Sequence, residues 1–140
     1  MTDRILGLIG IARKASALIA GEDRVADTLQ KGKAKMLLLP ADAGRTAQKI
    51  ALFASEKGRL QIAELPYSAE ALAKAAGLSN CQIAALTDLG LAGTLAALLA
   101  GMDPEKYGMM AEAVSIQHER QERRKKKAGL KKKMKSAGEE

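Results

Sequence analysis

The stretch Gly21 to Pro40, GEDRVADTLQKGKAKMLLLP, decides how the chain is read. Gly21 suits a helix N-cap, and Glu22 and Asp23 then fall in the first turn, where the helix dipole favours negative charge. Val25 and Leu29 give the next turns one apolar side. Gly32 is a C-terminal stop, with Lys31 in the last turn. The run Met36-Leu37-Leu38-Leu39 follows at once and is closed by Pro40. A short unbroken apolar run between turn residues suits a strand covered on both faces. The stretch therefore predicts a helix, a basic turn and a buried strand.

Towards the N-terminus, Thr2 is a reasonable cap for a first helix. Ile5, Leu8, Ile9 and Ala12 recur there at helical spacing, with Leu6 and Ile11 widening the stripe. Gly7 and Gly10 lower its helix propensity and leave room for close packing by another element. Towards the C-terminus, Ala41 to Gly44 is a loop. Ala47, Ile50, Ala51 and Ala54 mark a second helical stripe that Gly58 ends. Leu60 to Leu65 is strand-like and bounded by Pro66. Ser68 caps a short helix, with Glu70 and Ala71 in its first turn and Gly77 as its stop. Ile83 to Thr87 reads as another strand, and Leu91, Ala92, Leu95, Ala96 and Leu98 as an apolar helix ending near Gly101. Helices alternating with short strands predict an α/β fold: a three-layer α/β/α sandwich with the sheet in the middle.

Asp103-Pro104-Glu105 starts one more helix, with Asp as cap and Pro at the first position. It is expected to run through Lys127, with Glu119–Arg123 and Glu122–Lys126 as i,i+4 pairs, and to break at Gly129. The segment 128–140 is then a basic tail without fixed structure.

The chain has 140 residues, enough for one domain with a real core. Its aromatic content of 2% (Phe53, Tyr67, Tyr107) argues against single-strand binders that stack bases on several rings. The lone Cys81 excludes an intramolecular disulfide and any multi-cysteine zinc site. The N-terminal apolar stretch is interrupted early by Arg13 and Lys14, and no segment approaches the ~20 apolar residues of a membrane span. A cytoplasmic location is the expectation. The net charge of +7 is uneven: up to His118, 13 Lys and Arg stand against 12 Asp and Glu, and from Glu119 on 10 stand against 4. The basic balance thus belongs mostly to the C-terminal segment.

A glycine-led short helix, the turn GKAK and a buried strand resemble the kink-turn-binding ribosomal protein family, that of large-subunit protein L-seven-Ae and its short bacterial relatives. The resemblance extends over roughly Leu6 to Leu99. It includes ARKAS at 12–16, the Ala41-Asp42 pair, and KAAGLSN at 74–80. It implies a mixed sheet of about four strands, a further short strand at Ala17 to Ala20, and residues 1–102 as a ribosomal-protein-like RNA-binding domain. The helix 103–127 and the basic tail are then additions to it.

The resemblance also implies where RNA is met. Family members offer an Asn and a Glu at the helix start to the guanines of sheared pairs, and a Lys one turn later to phosphates. The matching positions here are Asp23, Arg24 and Asp27. Asp23, acceptor-only, can still accept from a guanine edge. Asp27 is acidic where the family has a cation. The candidate reading residues are therefore Gly21, Glu22, Asp23 and Arg24, together with Ser79 and Asn80 of the following loop, which in the family lies beside the helix start. Asn80 can offer both a donor and an acceptor to a base edge. Ordinary capping accounts equally well for the helix start, and a simple turn for the loop.

Lys31, Lys33 and Lys35 can hold phosphates or can simply be solvated. Arg13 and Lys14 either neighbour the same surface or complement the C-terminus of their own helix. Arg123, Arg124, Lys125, Lys126 and Lys127 form the strongest electrostatic feature, which carries no base-edge code by itself. A solubilising role explains the run as well; an anionic membrane surface fits it less, because it lacks the Trp, Phe or Leu face of an interfacial helix.

Catalytic patterns are not found in the sequence. His118 is the one histidine and sits beside the basic segment. Cys81 precedes an apolar strand and reads as a buried small residue. No phosphate-cradling glycine loop occurs, and Asp and Glu show no metal-ligand spacing. The leading expectation is a non-catalytic protein bound to ribosomal or other structured RNA, with no cofactor, small-molecule substrate or membrane partner. Two alternatives stand beside it: a protein-interaction module that keeps the fold without the RNA site, and an accessory domain serving an RNA-acting enzyme.

Overall fold

A computed structural model describes residues 4–57 and 60–138, of which 131–138 are described as helical backbone only. The expected roles of Thr2 as a cap and Gly58 as a stop lie outside the described residues. The chain runs α1 (Arg4–Lys14), β1 (Leu18–Ala20), α2 (Glu22–Gln30), β2 (Met36–Leu39), α3 (Arg45–Glu56), β3 (Gln61–Glu64), α4 (Ala69–Ala76), β4 (Ala84–Leu86), α5 (Leu89–Met102) and α6 (Pro104–Gly138). The sheet order is β1-β4-β2-β3. β4 pairs antiparallel with both β1 and β2, while β2 and β3 are parallel, so the sheet is mixed.

β2 explains the three layers. All four of its side chains are buried, and successive strand residues point to opposite faces. Met36 and Leu38 join Ile5, Ile9, Leu72, Leu95 and Val114, from the helices on one face. Leu37 and Leu39 join Val25, Ala47, Ala51 and Ala54 of α2 and α3 on the other. The unbroken apolar run is thus the sequence record of a strand with no solvent face.

The turn chemistry holds the helices to length. Ser68 Oγ accepts from the Ala71 N–H at 3.1 Å, and Gly77 closes α4 in the left-handed conformation at φ 72°. Asp103 Oδ1 accepts from the Lys106 N–H at 3.2 Å, ahead of Pro104. In α1, a side chain at Gly10 would meet the Ala75 carbonyl at 3.1 Å, so this glycine permits close approach of α4; Gly7 has no such neighbour. Ile11 does not widen the apolar stripe as expected. It is 60% exposed, because the seam through Ile5, Ile9 and Ala12 already faces the core.

α6 differs from expectation in length. It passes through Gly129 and continues to Gly138. One glycine costs a helix about 1 kcal/mol relative to alanine, and good helix formers on either side absorb that. Glu122 pairs not with Lys126 but with Lys125 (3.8 Å) and His118 (3.7 Å). At its start, α6 lies across the outer edge of β3. Leu65 donates to the Leu39 carbonyl at 2.8 Å, which turns the Glu64 carbonyl away from β2. The Tyr107 hydroxyl donates to that carbonyl.

Candidate functional site

The sheet has two ends, and they differ in chemistry. At one end β1, β2 and β3 finish and β4 begins. Gly21 donates its N–H to the Ile83 carbonyl at 3.1 Å, which holds the start of α2 against the chain entering β4. Gly44, at the start of α3, donates to Gln82 Oε1 at 2.8 Å, and Gln82 Nε2 donates to Asn80 Oδ1 at 3.3 Å. The bend 78–82 is thereby tied to the first turns of both α2 and α3. Asp42 accepts from the Ala69 N–H at 2.7 Å and fixes the start of α4 beside them.

Gly21 itself sits at φ 103°, ψ 143°, a conformation reserved for glycine. It lets the chain leave β1 and enter α2 without a linker. Asp23, Arg24, Ser79 and Asn80 are exposed, and Glu22 is half-buried. The start of α2, with Gly21 to Arg24, and the bend with Ser79 and Asn80 thus lie at the same end of the sheet. Sequence reasoning missed Gln82, Asp42 and Gly44, which orient this surface. A polar Gln between buried Cys81 and buried Ile83 was the available signal. In charge, the end is not basic: Glu22, Asp23 and Asp42 stand beside Arg24 and Arg45.

The expected cations lie at the opposite end. Lys35 donates its backbone N–H to the Leu86 carbonyl at 2.7 Å, and Thr87 donates to Ala17 at 2.9 Å. Lys31, Lys33 and Lys35 leave α2 at this end, and Arg13 and Lys14 finish α1 there, just before Ala17. Arg13 and Lys14 thus do not neighbour the reading residues. They sit in the last turn of their own helix, where the dipole favours them. Lys31 pairs with Asp27 at 2.9 Å on the exposed side of α2.

Arg123 to Lys127 project from this same end. Gly93 packs against Val114, and a side chain at Gly90 would lie 3.8 Å from His118 Nε2, so α6 runs back along α5 towards the start of α5. Beyond His118 the helix leaves the sandwich, and Arg123 to Lys127 are all exposed.

Cys81 is buried, and its thiol lies 3.7 Å from the Ile83 carbonyl. Burial pushes the thiol up to about 11, against the nucleophilic thiolate. An aromatic disulfide reagent at pH 8 is expected to label Cys81 slowly in the native protein and promptly in denaturant. Prompt native labelling would contradict this burial. Among the described residues no group of His, Cys, Asp and Glu is placed to hold a metal ion. No helix among them is long and apolar enough to cross a membrane.

No family model matches the chain. Individual proteins do. RNA-binding protein YlxQ of Bacillus subtilis is 31% identical over 97 residues, covering 66% of this chain and 91% of YlxQ. A Bacillus halodurans protein of unknown function superposes with TM-score 0.64 at 27% identity, over 69% of this chain and 97% of that one. The 15.5kD RNA binding protein of Giardia lamblia superposes with TM-score 0.56 at 19% identity, over 72% and 89%; at that identity the likeness speaks for the fold. The sequence match to YlxQ over nearly its whole length shows that this chain belongs to the YlxQ family of L-seven-Ae-like RNA-binding proteins.

Proposed function

We propose that the protein is a non-catalytic binder of structured RNA, and that bases are read at the end of the sheet where α2 begins. The observation that supports this is the Gly21–Ile83 hydrogen bond, which holds the start of α2 at the same end of the sheet as the bend that carries Ser79 and Asn80. Asp23 offers acceptors, Arg24 donors, and Asn80 both. That combination can satisfy the donor and acceptor edges of unpaired or sheared bases, which structured RNA exposes at loops and bulges. The match to an RNA-binding relative supports the same partner. Ribosomal RNA is one such partner.

The test is a titration of the full chain with a hairpin carrying a kink-turn, followed by fluorescence anisotropy at several salt concentrations. Asn80→Ala is expected to weaken binding about tenfold, within the range of one base-edge contact. Asp27→Lys replaces a carboxylate by an ammonium one turn from Asp23 and is expected to strengthen binding several-fold. No binding at low salt rejects the reading. An Asp27→Lys protein with unchanged affinity would mean that RNA meets another face.

A protein-interaction role has its own observation. Between α2 and α3 lies a groove of about 710 Å³ with Leu29, Ile50 and Leu60 among its walls. Phe53 stands at it 55% exposed. Protein partners that stay bound after nuclease treatment, and are lost on Phe53→Ala, would favour that role over RNA.

A further inference from the structure

We infer that the end of the sandwich opposite the reading residues is a second RNA contact, which holds the phosphates of a separate double-helical segment. The inference rests on RNA being the ligand class proposed above and extends it to a site with different chemistry.

Three chain segments deliver cations to this end independently. The last turn of α1 brings Arg13 and Lys14; the α2–β2 turn brings Lys31, Lys33 and Lys35; the free half of α6 brings Arg120 to Lys127. Backbone bonds from Lys35 to Leu86 and from Thr87 to Ala17 fix the first two side by side. The nearness of His118 to Gly90, at the start of α5, shows where α6 departs. Carboxylates at this end are outnumbered: Asp27 is paired with Lys31, Glu122 lies between His118 and Lys125, Asp88 caps α5 through the Gly90 N–H, and Glu56 and Glu119 stand exposed beside the cations.

The cations on α6 are ordered. Arg120, Arg123, Arg124 and Lys127 recur at i, i+3, i+4 and i+7, which places them on one face. At about 100° per residue, that face is opposite the one carrying Val114, His118 and Glu122, which is turned to α5. The stripe therefore points to solvent and runs for about 10 Å. A row of guanidinium and ammonium groups on a rigid rod matches regularly spaced phosphates.

Chemistry selects a duplex. The three segments hold no aromatic residue, and the exposed ring beside the α2–β2 turn, Phe53, is already faced by Lys57 Nζ at 4.6 Å from its centroid, so this end offers no row of open rings to unpaired bases. Double-stranded RNA hides its bases and is held through phosphates and shape. Distance suits a separate segment. The nine residues of α2 put about 13 Å between the reading end and the nearer cations, and the nine steps from His118 to Lys127 carry the α6 cations about 13 Å beyond the sandwich. A paired segment next to the loop can lie along them.

The test uses the full-length protein and two RNA probes: a fully paired duplex of about 16 base pairs and the kink-turn hairpin. The variant Lys33→Gln/Arg123→Gln/Arg124→Gln removes three exposed charges from this end. A charge-matched variant, Lys49→Gln/Lys74→Gln/Lys106→Gln, removes three from other elements. The first is expected to bind the duplex about 100-fold more weakly at 0.1 M salt and to flatten the log–log salt slope by about 2–3. The second is expected to stay near wild type. Both should melt like wild type, since all six side chains are exposed. Equal losses from both variants would overturn the inference, as would a wild-type protein that ignores the duplex at 50 mM salt, or that prefers phosphatidylserine vesicles to it. If the hairpin is bound through Asn80 while the duplex is not bound, the second contact fails alone. If the duplex is bound as expected and Asn80→Ala changes nothing, the second contact stands and the reading end fails.

Discussion

Leu38→Ala is expected to lower the unfolding free energy by about 2–5 kcal/mol. Leu38 is fully buried at the centre of β2, where strand partners lie on both sides and helices on its face. Its neighbours there, Met36 and Leu72 among them, belong to different elements that the sheet holds in place. Those elements do not close readily around a void, so most of the cavity cost remains. Urea denaturation measures it; a loss under about 1 kcal/mol would mean that this layer repacks freely. Leu38 touches neither end of the sheet, so RNA affinity well below the melting temperature should be unchanged.

Gly21→Ala is expected to act on stability and on RNA at once. A side chain there meets no atom within 4 Å, so the cost comes from the backbone alone. At φ 103°, ψ 143° an L-residue is strained by about 1–3 kcal/mol. The chain can keep that strain and lose stability. It can also rotate away, giving up the bond to Ile83 and moving the start of α2 from the chain that enters β4. Thermal melting reads the first response, and hairpin affinity the second. Wild-type values for both would show that Gly21 is a bystander. Against Leu38→Ala, the comparison separates loss of stability from loss of the reading surface.

Most elements were legible in the sequence because their signals are local. The run 36–39 has no polar interruption, Ser68 and Gly77 bracket α4, and Asp103-Pro104 opens α6. β1 was not legible from the residues. It has three residues, follows α1 closely, and is a strand only because β4 pairs with it from far along the chain. The extent of α6 is not legible locally, because Gly129 is a breaking signal that the neighbouring residues outweigh. For the site, the pairing of Gly21–Arg24 with Ser79–Asn80 came from the family resemblance, since no local pattern links residues so far apart. The separation of Lys31–Lys35 from Asp23 follows from the length of α2. Arg13 and Lys14 could be placed only once the direction of α1 was known.

The phenol of Tyr107 has a consequence for how the molecule can be shortened. It occupies one of the carbonyls that β3 presents outward, that of Glu64, and so covers part of the rim where a foreign strand would otherwise add. The first turn of α6 is accordingly a cover for the sheet, the turns from there to His118 pack on α5, and only the part past His118 is free to serve RNA. A version trimmed just after His118 keeps this cover. One trimmed at Gly101 exposes a strand rim and gains a route to self-association.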